Sequence, residues 1–267
     1  MRRPPLSPFG NHLRAWRRRR GWSQLDLAIR AETTPRYVSF IETGRSRPGR
    51  ELVLRLAATL DLPLRDRNIL LRSAGWPPAY QEYALSDARL EPFRGAVKSI
   101  LDRHDPYPAV AVGTLGRVVM SNRASRALFP GMEGQSPEEL IDGFLGDGPQ
   151  RNAVENWAEV AWATVDRMQN EATHGGDPRL DALVERALKH LAGTPRPDRQ
   201  DPSSPVIAMR LRVGDETLSL FTTVLRFENA QELTMEGLRI ELMFPMGPDD
   251  DALLRALTSL GDDLHGG

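Results

Sequence analysis

The sequence predicts an all-α domain built around a helix-turn-helix, followed by an α+β domain with a five-stranded antiparallel sheet and helices segregated to one side. Three observations predict this. Residues 23 to 42, SQLDLAIRAETTPRYVSFIE, hold two capped helical segments joined by a short break. The first 80 residues carry 16 Arg, no Lys and 6 Asp plus Glu, a formal charge of +10, whereas residues 81 to 267 sum to −11. Beyond residue 105 the apolar pattern runs two strands, several helices, then three strands. The whole-chain net charge of −1 hides the charge split. A basic module joined to an acidic one implies that only the first faces a polyanion.

Bulk properties narrow the class. A length of 267 residues suits two domains, and 40% hydrophobic content builds ordinary cores. No apolar run reaches the ~18 residues of a membrane span, and the basic, Pro-containing start MRRPPLSPFG has no apolar signal-peptide core. The absence of Cys excludes disulfides and thiolate metal sites, which fits a cytoplasmic protein without membrane insertion.

In the first domain, helix one is expected from about Gly10 to Arg20. Leu13 and Trp16 lie one turn apart, and Gly21 stops the helix. Ser23 is an N-cap, with Asp26 completing a capping box. Helix two, Gln24 to Ala31, buries Leu27, Ala28 and Ala31, and the small Ala28 lets another helix cross closely. Thr34 caps helix three, and Pro35 occupies its first turn, where a missing N–H costs nothing. Val38 and Ile41 face inward and Gly44 ends the helix. Two more helices follow, Glu51 to Leu60 and Leu64 to Ala74. Pro77 and Pro78 then force an extended stretch, so the boundary is placed near residue 85, giving domains 1–84 and 85–267.

In the second domain, Glu91 to Arg103 reads as an amphipathic helix with Phe93, Val97, Ile100 and Leu101 on one side. Tyr107 to Val112 and Val118 to Ser121 read as a hairpin bracketed by Gly113 and Gly116. Helices are expected at Arg123 to Phe129, Pro137 to Leu145, Pro149 to Ala172 and Pro178 to Leu191, before a Pro- and Asp-rich loop at 193 to 205. The 149–172 helix carries the apolar stripe Val154, Trp157, Ala158, Ala161, Val165 and Met168. Strands follow at Ile207 to Val213, at Leu218 to Leu225, apolar enough to be covered on both faces, and at Leu238 to Phe244. A helix from Asp251 to Leu260 closes the pattern.

Gln24-x-x-Leu27-Ala28, then Thr34, Val38, Ile41-Glu42 and Gly44, resembles the Xre/phage-repressor class of helix-turn-helix. The longer string FIETGRSRPGRELVLRLAATLDLPLRDRN resembles the MmyB-like regulators. This resemblance implies that Thr34, Pro35, Arg36, Ser39 and Phe40 fall on the exposed face of a DNA recognition helix. Arg36 is the best base reader among them, because a guanidinium can bond guanine O6 and N7 together. Phe40 offers only apolar contact, for example with a thymine methyl. Gln24, Arg45, Arg47 and Arg50 fall where phosphates are met, which positions the protein without reading sequence. Arg17 and Glu42 fall where the class has a structural ion pair between helices one and three. An Arg-rich face can also be plainly solvated or meet an acidic protein.

The strand and helix order of the second domain is that of a PAS-like sensor fold. HDPYPAVAV, the Asn156-Trp157 pair and LRIELMFP resemble the ligand-binding domain of the same MmyB-like family. The resemblance implies a small apolar ligand, such as a fatty acid, held between sheet and helices. Its tail needs apolar walls and its carboxylate one or two donors. Candidate walls are Trp157, Met168, Phe221, Phe227 and Leu238, and candidate donors are Arg151, Asn156 and Arg167. The plainer reading makes Trp157 and Met168 core residues and the two arginines solvated.

No G-x-S-x-G, H-E-x-x-H or P-loop occurs, and the five His are scattered with no helical i, i+4 pair, so neither an enzyme nor a metal site is expected. His104 and Asp105 read as a loop, and Asp249 to Asp251 as a helix cap rather than a cation site. The expectation is a sequence-specific, ligand-responsive, homodimeric DNA-binding regulator with no cofactor beyond a bound fatty acid. The alternative is a DNA-binding protein whose second domain serves only dimerisation or partner-protein recruitment.

Overall fold

The computed structural model describes residues 8–175, 177–197, 206–228 and 230–263, so the loop expected at 193–205 lies outside the described residues from 198 onward. The chain forms two compact units. One is Met1–Tyr83 together with Asn229–Glu236, and the other is Ala84–Glu228 together with Gly237–Gly267.

The first unit contains α1 (Pro8–Arg19), α2 (Gln24–Arg30), α3 (Pro35–Glu42), α4 (Arg50–Thr59) and α5 (Leu64–Ser73). Local chemistry sets their ends. Ser23 Oγ accepts from the Asp26 N–H at 3.1 Å, and Asp26 Oδ2 accepts from the Ser23 N–H at 2.8 Å, which closes the capping box. Thr34 Oγ1 accepts from the Tyr37 N–H at 3.2 Å, and Pro35 opens α3. Leu13, Leu27, Ala28, Val38, Ile41, Val53 and Leu56 are buried together as one core. α1 crosses the end of α3 at Gly10, where a Cβ would lie 2.3 Å from the Glu42 carbonyl oxygen. Only glycine allows that approach. After α5 the chain folds back on its own domain. Asn68 donates to the Tyr80 carbonyl at 2.8 Å and accepts from the Ala79 and Tyr80 N–H groups at 2.9 and 3.1 Å. The Pro77-Pro78 stretch is therefore extended but anchored at both ends.

The second unit contains α6 (Glu91–His104), β1 (Ala109–Val112), β2 (Val118–Ser121), α7 (Arg123–Leu128), α8 (Pro137–Leu145), α9 (Pro149–Ala153), α10 (Trp157–Gly175) and α11 (Pro178–His190). β3 (Met209–Val213), β4 (Glu216–Arg226), β5 (Arg239–Pro245) and α13 (Pro248–Asp263) complete it, and α12 (Leu233–Glu236), strung between β4 and β5, belongs to the first unit. The five-stranded sheet is antiparallel throughout in the order β2-β1-β5-β4-β3.

Four expectations are corrected. The single helix over 149–172 is two, because Val154 to Asn156 leave the helical path to pair with β3. Val154 bridges to Leu211, and the Glu155 N–H donates to the Arg210 carbonyl at 2.8 Å. Helices also cover both sheet faces rather than one. The His104 ring of α6 meets Phe244 at 4.8 Å, whereas Arg167 of α10 pairs with Glu241 at 3.3 Å. Positions 241 and 244 of β5 differ by an odd number and so point to opposite faces. The second half of β4 is not doubly covered, since Val224 and Leu225 are 43% and 45% exposed. β3 pairs only with Glu216 to Leu220, which leaves later residues with β5 alone. Phe93 is exposed although Val97 and Leu101 are buried. Its helix of 14 residues is about 21 Å long against about 13 Å for four-residue β1. The C-terminal part of α6 is the anchored end, through the Leu101 carbonyl to Asn122 and His104 to the Met243 carbonyl.

Candidate nucleic-acid interface and ligand site

The centre of the helix-turn-helix is Glu42, whose side chain is fully buried at the end of α3. Arg17 Nε donates to Glu42 Oε1 at 2.6 Å and Arg17 Nη2 to Oε2 at 3.1 Å, a bidentate pair between α1 and α3. Gln24 Nε2 adds a bond to Oε2 at 2.8 Å and Arg14 Nε one at 3.3 Å. Arg17 Nη1 also donates to the Trp22 carbonyl at 2.6 Å. Glu42 thus ties together α1, α2 and α3. Burial pushes its carboxyl up, but the hydrogen bonds from Arg17, Gln24 and Arg14 and the Arg17 charge outweigh this and hold it below the usual carboxylate value.

With its inner face fixed in this way, α3 and its N-cap leave Thr34, Pro35 and Arg36 exposed and Ser39 and Phe40 half-buried. The Arg36 guanidinium lies 5.3 Å from the centre of the Phe40 ring and that of Arg45 lies 6.0 Å away. Phe40 is therefore a platform that gathers two cations at the exposed side of α3, a role its apolar character alone did not reveal. Gln24 spends one N–H on Glu42. Arg50 is exposed at the start of α4. Arg47 is also a strut: its Nε and Nη2 donate to the Ala74 and Gly75 carbonyls at 2.7 and 2.8 Å, and its guanidinium lies 5.2 Å from the Trp76 ring centre. These two bonds leave three of the five guanidinium N–H donors of Arg47, two on Nη1 and one on Nη2.

The expected ligand residues of the second unit are only partly brought together. Trp157 and Met168 join the cluster of Ala161, Val165, Leu218, Leu220 and Met243 between α10 and the sheet, and Arg167 reaches Glu241 on that side. Phe221 lies on the other face, paired in register with Phe244 and stacked on it at 5.5 Å. Leu238 is buried just before β5, and Phe227 is half-buried just after β4. Arg151 pairs with Asp147 at 2.5 Å and lies 3.9 Å over the Trp157 ring, while Trp157 Nε1 donates to the Phe144 carbonyl at 2.8 Å.

Asn156 behaves as a surrogate strand. Its Nδ2 donates to the Ala208 carbonyl at 2.8 Å and its Oδ1 accepts from the Arg210 N–H at 3.0 Å, so it pairs the outer edge of β3 as a peptide group would. Nδ2 also reaches Glu159 Oε2 at 2.7 Å. The Asn156-Trp157 pair thus closes a sheet edge and begins α10.

Sequence reading missed a charged network between α10 and the sheet. Arg239 Nε lies 2.8 Å from Glu241 Oε1, which also meets Arg167 at 3.3 Å, while Glu171 meets Arg226 at 3.2 Å and Arg239 at 3.8 Å. Arg239 is buried. Arg239 and Glu241 alternate with the apolar Leu238, Ile240 and Leu242, a pattern that suits a solvent-facing side, and only the cover of α10 makes that face interior.

Two cavities adjoin β2. One of about 370 Å³ is lined by residues including Leu85, Arg94, Arg117, Val118 and Met120, and one of about 80 Å³ by residues including Val110, Phe129 and Met132. Neither is lined by an expected ligand residue. Among the described residues no group of three or more His, Asp or Glu is placed to hold a metal ion.

Two family models match the chain. One described as the MmyB-like transcription regulator ligand binding domain covers residues 93–257, and one described as a helix-turn-helix domain covers residues 8–70. No curated protein matches.

Proposed function

The chain belongs to the MmyB-like transcription regulators, and on that premise we propose that it reads a specific operator through α3 as a homodimer while its second unit binds a fatty-acid-like ligand. The observation that carries the DNA half is α3 itself. Its buried end is fixed by Arg17 and Glu42, and its exposed side carries Arg36 over Phe40. A base reader must hold its direction while staying free to bond, and this arrangement separates the two tasks. A dimer places two such helices in successive major grooves, about 34 Å apart.

The ligand half rests on the strand order β2-β1-β5-β4-β3, which we read as PAS-like, and on the α10 side of the sheet. Trp157, Met168, Leu218 and Leu220 supply apolar walls there. Arg167 and Arg239 are already neutralised by Glu241 and Glu171. An incoming carboxylate therefore has to add to the unused N–H groups of Arg167 and Arg239 with Glu241 and Glu171 left paired, because displacing either Glu would strand its charge. Trp162 Nε1, buried on the same helix with no hydrogen-bond partner among the described residues, is a spare donor. A ligand that favours one arrangement of the second unit shifts the protein toward it. No helix among the described residues is long and apolar enough to cross a membrane, in keeping with a cytoplasmic regulator.

Native mass spectrometry of the full chain tests the ligand half, with palmitate as the probe. A discrete added mass that weakens in Arg239→Ala supports the reading. A chain that stays at its apo mass in excess palmitate, or binds equally well without Arg239 and Arg167, overturns it and favours a second unit that serves dimerisation or partner recruitment.

A further inference from the structure

Helix α5 lacks a cap of its own. Pro63 occupies its N-cap position and makes no side-chain cap bond, so the first N–H groups need an acceptor from elsewhere. Glu236, the last residue of α12, supplies it: its two carboxylate oxygens accept from the Leu64 N–H at 2.8 and 2.9 Å. A carboxylate there also meets the positive end of the helix dipole. Burial pushes the Glu236 carboxyl up, and the Leu64 N–H with the charges of Arg67 and Arg65 only partly offsets this.

The same segment holds the end of the folded-back tail. The Leu233 N–H donates to the Gln81 carbonyl at 3.0 Å, the Tyr83 N–H donates to Glu232 Oε1 at 2.9 Å, and Thr234 Oγ1 donates to the Tyr83 carbonyl at 2.5 Å. Leu233 and Met235 are buried. All these bonds lie within the first unit, yet the residues that make them are strung between β4 and β5. Only Gly237 and Leu238 separate Glu236 from Arg239 of β5. A spacer of two residues spans at most about 10 Å. At its far end α5 is tied to Arg47, which follows Arg45 by two residues and so adjoins the Phe40 platform.

We propose that α12 is a clasp that caps α5, holds the chain at Gln81 to Tyr83, and passes changes at the start of β5 along α5 to Arg47 and the recognition helix. The proposal rests on the DNA-binding reading above. α5 is a rod of about 15 Å, fixed at one end by Glu236 and at the other by Arg47. By linkage, the factor by which a change at β5 alters DNA affinity equals the factor by which DNA binding alters the equilibrium of that change.

The test follows backbone hydrogen exchange in the full chain, free and bound to a duplex that the wild-type protein selects from a random pool. Glu236→Ala should speed exchange at Leu64 to Arg67 by about five- to tenfold. Glu236→Gln, whose amide oxygen still accepts, should recover most of the protection and serves if Glu236→Ala fails to fold. Duplex binding should change exchange in β5 of the wild type and not of Glu236→Ala. Unchanged α5 exchange in Glu236→Ala overturns the cap. Wild-type protein that binds duplex with no change in β5 overturns the transmission. A chain that binds no duplex removes the DNA-binding reading itself and the transmission with it, a result distinct from binding without response.

Discussion

Arg17 and Glu42 form a buried bidentate pair, Nε to Oε1 at 2.6 Å and Nη2 to Oε2 at 3.1 Å, across the crossing of α1 and α3. Glu42 is also the residue whose backbone carbonyl lies against Gly10, so the side chain and the main chain of one residue both meet α1. The direction in which α3 points is set at this crossing, six residues from Arg36, the proposed base reader.

Removing one partner of such a pair strands the other. Glu42→Ala should destabilise the first unit by about 3–5 kcal/mol, read from denaturant unfolding of the full chain. The pH dependence has a definite sign. The Glu42 carboxyl is held below its ordinary value of 4.5 in the fold. Its stabilisation is therefore complete above about that pH and is lost as the pH falls through the folded value. Glu42→Gln should flatten this acid limb, and a limb of unchanged depth would place its origin in other carboxylates.

Gly10→Ala tests the crossing itself. Alanine favours the helix by about 1 kcal/mol, but its Cβ would overlap the Glu42 carbonyl oxygen at 2.3 Å and the carbonyl carbon at 2.7 Å. Backbone cannot swing aside as a side chain can. A net loss of about 1–3 kcal/mol is expected, with weaker operator binding because α3 is displaced. A variant as stable as wild type would show that the two helices have room.

Asn156→Asp separates an edge-pairing role from a head-group role. Aspartate keeps the acceptor for the Arg210 N–H but loses the donor to the Ala208 carbonyl and sets a carboxylate against it. A stability loss of about 1–3 kcal/mol in the second unit is expected. Loss of palmitate binding at unchanged stability would instead make Asn156 a ligand contact.

Arg50 and Arg47 should part company in salt titrations. Arg50→Ala should weaken binding to every duplex and flatten the slope of log affinity against log salt by about one unit. Arg47→Ala should in addition lower stability, since it removes the bonds to the Ala74 and Gly75 carbonyls. Equal stability of the two variants would show that the strut carries nothing.

The first unit was legible in the sequence because its signals are local. Ser23 with Asp26, Thr34 with Tyr37, and the glycines after α1 and α5 act within four residues, and the helix ends fall within about two residues of those expected. What was not legible depends on partners far along the chain. Nothing near Asn156 announces Arg210, 54 residues on, so the break between α9 and α10 reads as continuous helix. Arg239 alternates like an outward strand residue, and only α10 reveals that its face is covered. Glu236 caps a helix 172 residues earlier, a relation that no periodicity encodes. The ligand residues are the least legible part, because apolar walls and core residues have the same composition.

The most direct measurement of the central claim is a pair of duplex titrations with wild type and Arg36→Ala, on the selected duplex and on a shuffled one of the same composition. If α3 reads bases through Arg36, the variant should lose about 5- to 150-fold in affinity for the selected duplex, the 1–3 kcal/mol of a bidentate base contact, and little more than one phosphate's share on the shuffled duplex. An equal loss on both duplexes, or none on either, would contradict α3 as the reading helix.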